Sequence, residues 1–80
     1  MDDAELREKL RAIIAEVSEV DEIPDETPFK ELGIDSMMAI EIVAEVERTF
    51  KLSIPEDELR KMTHFTAVYD LVKSKLVAAA

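Results

Sequence analysis

The sequence predicts an all-α four-helix bundle with three longer helices, one short third helix and a long first loop. Three observations carry this prediction. Apolar residues recur at helical spacing in three separate stretches. No stretch alternates apolar and polar residues as a half-buried strand would. The one long, proline-bearing connection keeps apolar anchors of its own. The 80 residues, 48 % of them hydrophobic, read as one domain over 1–80, since domains usually need roughly 50 to 200 residues. So short a chain buries only about 60 % of its unfolded surface, and a deep cleft between two lobes is not expected.

The first helix is expected from Asp3 to about Val17, where Leu6, Leu10, Ile13, Ile14 and Val17 form one stripe. Asp2 or Asp3 caps its start, and Asp2 with Glu5 fits a capping box. Glu8 and Arg11, three residues apart, are expected to pair on its outer face. Residues 18–35 form a connection: Pro24 and Pro28 break helix, and Asp21, Asp25 and Thr27 are turn or cap residues. Ile23, Phe29, Leu32 and Ile34 should anchor this segment to the core. A connection of that length inside a small domain is uncommon and points to function. Gly33, the single glycine, sits where the chain must turn into the next helix.

The second helix is expected from Ser36 to about Phe50 with Asp35 as its N-cap. Projected at about 100° per residue, Ala39, Ile42, Val43, Val46 and Phe50 share a core arc. Met37, Ile40 and Ala44 share a second arc close to Ser36. Glu41, Glu45 and Arg48 share a polar arc, with Met38 beyond it. The helix thus has more apolar surface than one core face requires. Either the second arc widens the buried stripe, or it is a partly exposed patch that partners touch, flanked by Glu41, Glu45 and Glu47. We favour the second. Pro55-Glu56-Asp57-Glu58 starts a short third helix with Leu59 and Met62 facing inward. A last helix, capped by Thr63, begins near His64 and runs to about Val77. Phe65, Val68, Val72 and Leu76 give its stripe, with Tyr69 at the edge, and Ala78-Ala79-Ala80 should fray.

Composition excludes several function classes. With no cysteine and one histidine, neither a disulfide framework nor a thiolate or histidine-rich metal site is available. A single glycine argues against phosphate-cradling loops. The formal net charge of -9 argues against nucleic-acid partners, which need a basic face. Residues 1–34 hold 11 acidic and 4 basic side chains, whereas residues 61–80 hold 1 and 3; the acid is concentrated in the first three-quarters of the chain. It either solvates helix faces or steers basic partners, and charge alone favours the first. No apolar run approaches the ~20 residues of a membrane span, and Met1-Asp2-Asp3-Ala4-Glu5 is acidic where a secretory signal is basic. The chain reads as a soluble, cytoplasmic monomer with no membrane partner.

The stretch Leu32-Gly33-Ile34-Asp35-Ser36 is the best candidate site. Ser36 lies at a helix mouth, where backbone N–H groups are unpaired and the helix dipole is positive. A phosphate on its hydroxyl is electrostatically well placed there. As a nucleophile acting alone it lacks an adjacent base, since His64 is the only histidine, and its flanks do not match the Gly-x-Ser-x-Gly elbow of hydrolases. Position alone would leave Ser36 a minor cap residue. His64 reads as a boundary residue, and Phe29, Phe50, Phe65 and Tyr69 read as core. Met37, Met38 and Met62 either fill gaps or, for the first two, offer an adaptable contact surface. Glu56-Asp57-Glu58 is a first-turn charge bias rather than a calcium loop.

The run Phe29-Lys30-Glu31-Leu32-Gly33-Ile34-Asp35-Ser36-Met37, followed by Ile40-Glu41-Ile42-Val43, resembles the acyl carrier proteins. The likeness extends through Glu47, Phe50, Ile54-Pro55, Asp57 and Lys61-Met62-Thr63. The resemblance implies a four-helix bundle and a carrier rather than an enzyme. It implies that Ser36 bears 4′-phosphopantetheine, taken from coenzyme A by a separate phosphopantetheinyl transferase using Mg²⁺, and that Asp35 caps the helix and helps organise that encounter. It also implies that Met37, Ile40, Glu41, Ala44 and Glu47 contact partner enzymes: an acyltransferase, a ketosynthase or other acyl-processing enzymes. The acyl cargo would ride as a thioester on the arm. Met38 stands where fatty-acid carriers often have an acidic residue, and Arg48 interrupts their acidic run. Gly33-Ile34-Asp35-Ser36-Met37-Met38 looks more like carriers of polyketide assembly lines. The rival reading from another class is an acidic helical adaptor that binds a basic protein with Ser36 unmodified.

Overall fold

The computed structural model describes residues 2–79. Four α-helices follow one another: α1 Asp3–Ser18, α2 Ser36–Phe50, the short α3 Glu56–Leu59 and α4 Phe65–Ala79. A 3₁₀ turn, Phe29–Leu32, interrupts the long first connection. The expected all-α architecture, with its short third helix and long first loop, is the one observed. Ala80, the last residue of the expected fraying, lies outside the described residues; α4 is described to Ala79.

Local chemistry sets these boundaries. The Asp2 carboxylate accepts the Glu5 N–H at 2.8 Å and starts α1. The helix ends at Glu19, which takes the left-handed conformation (φ 60°) and returns its N–H to Ala15. Lys51 ends α2 in the same way, with φ 55°. The 3₁₀ turn was not foreseen, although Pro28 precedes it and Gly33 closes it with φ 82°. Pro55 stands just outside α3 as its N-cap rather than in its first turn.

The three long helices enclose the core, with α1 packed on both α2 and α4. Leu6, Leu10 and Ile14 of α1 meet Ile42, Val43 and Val46 of α2 and Phe65, Val68, Tyr69 and Val72 of α4 in one buried cluster. Ile23, Phe29 and Ile34 of the first loop, with Ile54 and Met62, complete it. The long connection is therefore held by side chains that each contribute about 1.5–3 kcal/mol when fully buried. Leu32, Ile13, Val17, Ala39, Phe50 and Leu76 are only half-buried.

Two expected local contacts are replaced by longer-range ones. Arg11 does not pair with Glu8. Its guanidinium reaches the Asp25 carboxylate, donates from Nε to the Ile23 carbonyl at 3.1 Å, and stacks 4.2 Å from the Phe65 ring centroid. Arg7 lies 3.5 Å from the other Asp25 oxygen and 4.5 Å from the Tyr69 centroid. Thr63 does not cap α4; its hydroxyl meets the His64 ring instead. The Asp25 carbonyl accepts the Thr66 N–H and hydroxyl, each at 3.1 Å. One loop residue, Asp25, thus joins α1 to the start of α4. No helix among the described residues is long and apolar enough to cross a membrane.

Candidate functional site

Ser36 is the first residue of α2 and is exposed. Its place is set from both sides. Behind it, Gly33 turns the chain in a left-handed conformation that a side chain at that position would resist, and buried Ile34 plugs the loop into the core with its N–H on the Phe29 carbonyl at 3.0 Å. Ahead of it, the Asp35 carboxylate accepts the Met38 N–H at 2.9 Å and the Asp35 carbonyl accepts the Ala39 N–H at 3.0 Å. Asp35 is thus the N-cap that the sequence predicted. The Phe29 N–H donates to the Thr63 carbonyl at 2.8 Å and ties the loop to the turn before α4.

Two shallow hollows meet at Ser36. One runs toward the first loop and is lined by Phe29, Lys30, Ile34 and Met62 among others. The other lies between α2 and α3 and is lined by Ile40, Leu59, Arg60 and Met62. Ser36, Ala39, Met62 and Thr63 border both. The sequence reading singled out neither Lys30 nor Arg60 for this site. Both are brought to it by turns of the chain, and no periodicity marks them.

The second arc of α2 is exposed, not buried. Met37 keeps 74 % and Ile40 57 % of their surface, and Ala44 is exposed beside them. With Glu41, also exposed, they form a continuous strip leading away from Ser36. The other residues grouped with them differ. Met38 is half-buried against the core. The Glu45 carboxylate is taken by Arg48. Glu47 turns its carboxylate inward to accept the Ile54 N–H at 2.8 Å.

This arrangement suits a covalently attached anionic arm. The hydroxyl is in solvent, the first-turn N–H groups of α2 favour a phosphate there, and apolar hollows begin beside it. It does not suit a self-activated serine. The two ring nitrogens of His64 face the Thr63 hydroxyl at 3.1 Å and the Glu26 carboxylate at 3.6 Å, which leaves Ser36 without that base.

Comparison with known proteins agrees. Residues 8–73 match the family described as the phosphopantetheine attachment site, and the chain belongs to that family. Its cofactor is phosphopantetheine, and it is a carrier domain and not itself a catalyst. Over 73 residues it is 37 % identical to polyketide-8 synthase acyl carrier protein 2 of Streptomyces avermitilis, covering 88 % of this chain and 84 % of that one. It is 40 % identical over 70 residues to the non-reducing polyketide synthase pigA of Monascus ruber, covering 85 % of this chain and 3 % of that synthase. The chain spans only about 3 % of the length of the first fungal relatives it matches. Among solved structures, an acyl carrier protein of Thermotoga maritima superposes with a TM-score of 0.85 at 30 % identity, covering 100 % of this chain and 96 % of that one. The acetyl actinorhodin acyl carrier protein of Streptomyces coelicolor gives a TM-score of 0.75 at 25 % identity, covering 91 % and 92 %. None of these findings favours an unmodified adaptor.

Proposed function

We propose that Ser36 bears the phosphopantetheine arm and that the chain, taken as one carrier unit over residues 1–80, holds intermediates of polyketide assembly for successive enzymes. One observation carries this reading: a solvent-exposed serine opens α2 directly after the Asp35 cap. In the modification, the Ser36 oxygen forms a bond to the β-phosphorus of coenzyme A, the bond to the departing adenosine 3′,5′-bisphosphate breaks, and the hydroxyl proton passes to a base. That base is assigned to the partner transferase, since His64 is occupied by Thr63 and Glu26 and the Asp35 carboxylate caps α2. Asp35 orders the helix start so that the hydroxyl is presented in one place. When bound, the arm supplies a terminal thiol that holds an acyl group as a thioester.

Partner enzymes dock, in this reading, on the strip Met37, Ile40, Glu41 and Ala44, with Met38 and Glu45 at its margin. Apolar atoms give contact area, and Glu41 steers basic partners. Acyltransferases and ketosynthases fit this role, and the interface should be small so that each partner is released quickly. Polyketide rather than fatty-acid chemistry is supported by the polyketide synthases and polyketide carrier among the relatives and by Met38 in place of an acid. Coenzyme A is an intracellular metabolite, and we place the modified protein in the cytoplasm on that ground.

The test is loading with acetyl-coenzyme A and a promiscuous phosphopantetheinyl transferase. The bound acetyl group should be released by neutral hydroxylamine, as a thioester is. An acetyl label that resists hydroxylamine would contradict the carrier role.

A further inference from the structure

Each of the two hollows that meet at Ser36 has one cation lining it. Lys30 lines the hollow toward the first loop, and Arg60 lines the one between α2 and α3. On the reading that Ser36 is modified, the first group beyond its oxygen is a phosphodiester with one negative charge. It is one bond from that oxygen, so it lies at the mouth the two hollows share. The start of α2 favours a phosphate there, and Lys30 and Arg60 are the two cationic side chains that line the hollows around it. Asp35, which also lines the first hollow, is exposed, and the chain as a whole carries a formal charge of -9. A phosphodiester held there has a strong electrostatic preference for whichever cation can reach it.

Arg60 has the better claim. A guanidinium offers a planar fork of donors to two phosphate oxygens, whereas an ammonium is a strongly hydrated point charge. Its present partner is a weak competitor: the Arg60 guanidinium stands 3.8 Å from Glu56, with 79 % and 83 % of the two side chains in solvent. Its backbone is fixed beside the hollow. The Arg60 N–H donates to the Glu56 carbonyl, and Met62, two residues on, is buried in the core. The side chain is therefore free to swing while its base is not.

We infer that Arg60 pairs with the phosphodiester on Ser36 and so fixes the attached end of the arm beside α3. Arg60 is a positioning residue, and it acts without touching the thioester. The inference rests on the attachment of the arm at Ser36, and the experiment separates the two.

Wild type, Arg60→Gln and Lys30→Gln proteins are converted to the holo form with coenzyme A, Mg²⁺ and a transferase, and conversion is checked by intact mass. The ¹H–¹⁵N signal of the Arg60 side-chain Nε–H is compared between apo and holo wild type, and the ³¹P resonance of the phosphodiester is compared among the three holo proteins. The Arg60 signal should shift on conversion. The ³¹P resonance should move in Arg60→Gln and stay in place in Lys30→Gln. At about 1 M salt, where the screening length is ~3 Å, the wild-type resonance should approach that of Arg60→Gln. A confirmed mass gain with an unmoved Arg60 signal would overturn the inference alone. So would a larger ³¹P change in Lys30→Gln than in Arg60→Gln. Failure of the folded wild type to gain mass at Ser36 would overturn the attachment reading and the inference with it.

Discussion

The Glu47 carboxylate accepts the Ile54 backbone N–H at 2.8 Å, across the turn that joins α2 to α3. The same glutamate's carbonyl accepts the N–H groups of Lys51 and Leu52. Glu47 therefore closes the end of α2 and holds buried Ile54 in place. Glu41, earlier on the same helix and exposed, has no such duty among the described residues.

The two acids should separate in experiment. Glu47→Ala should lower unfolding free energy by about 1–2 kcal/mol, the worth of a charge-assisted hydrogen bond. Glu41→Lys should stay within about 0.5 kcal/mol of wild type, as an exposed substitution does, yet slow partner turnover and flatten its salt dependence. Urea unfolding and turnover with one partner enzyme check both.

The Arg11 clamp makes a second prediction. Its guanidinium stacks on fully buried Phe65, bonds the Ile23 carbonyl and pairs with Asp25. The ion pair is more than a third exposed and contributes little by itself. The stack and the carbonyl bond contribute more, so Arg11→Ala should cost about 1–2 kcal/mol. Arg11→Lys should recover only part of it, because an ammonium cannot stack as a plane. Thermal unfolding of the two variants decides this.

Lys51 ends α2 at φ 55°, a conformation that disfavours any residue with a Cβ by roughly 1–2 kcal/mol. Glycine is free of that penalty but loses more chain entropy on folding. Lys51→Gly should therefore stabilise the protein modestly, raising its Tm. A drop in Tm would show that the Lys51 side chain contributes more than its backbone costs.

A pH dependence follows from the start of α1. The Tyr69 hydroxyl, and after it the Lys73 ammonium 3.3 Å away, hold the Asp3 carboxyl below the usual carboxylate range, and Asp3 in turn holds Lys73 above the usual lysine range. A carboxyl lowered on folding contributes in full above its unfolded pKa and loses that contribution as pH falls through its folded one. A raised lysine contributes in full below its unfolded pKa and loses that contribution as pH rises through its folded one. The pair therefore supports the fold across neutral pH and fails at both extremes. Asp3→Asn should lower Tm slightly at pH 7, since the pair is exposed and screened. The difference from wild type should close below the carboxylate range.

What the sequence made legible was local. Asp35 before an apolar-periodic run marks a helix start, and Leu6, Leu10 and Ile14 mark a buried stripe, because both signals are written within a few turns of chain. The exposed arc of Met37, Ile40 and Ala44 was readable as surplus apolar surface on one helix. Contacts between distant segments were not. Arg11 reaches Asp25, fourteen residues away, and Asp25 caps α4 through Thr66, forty-one residues on; short-range spacing suggested Glu8 and Thr63 instead. Glu47 looked like one more surface acid because nothing in its neighbourhood of sequence reveals the returning N–H of Ile54. Arg60 reached the site only through the turn after α3.

The most direct measurement is intact-protein mass, with peptide mapping, after incubation with coenzyme A, Mg²⁺ and a promiscuous phosphopantetheinyl transferase, beside a folded Ser36→Ala control. The account predicts a gain of one phosphopantetheine, mapped to Ser36 and absent from the control. A gain that persists in Ser36→Ala, or no gain on folded wild type, would contradict it.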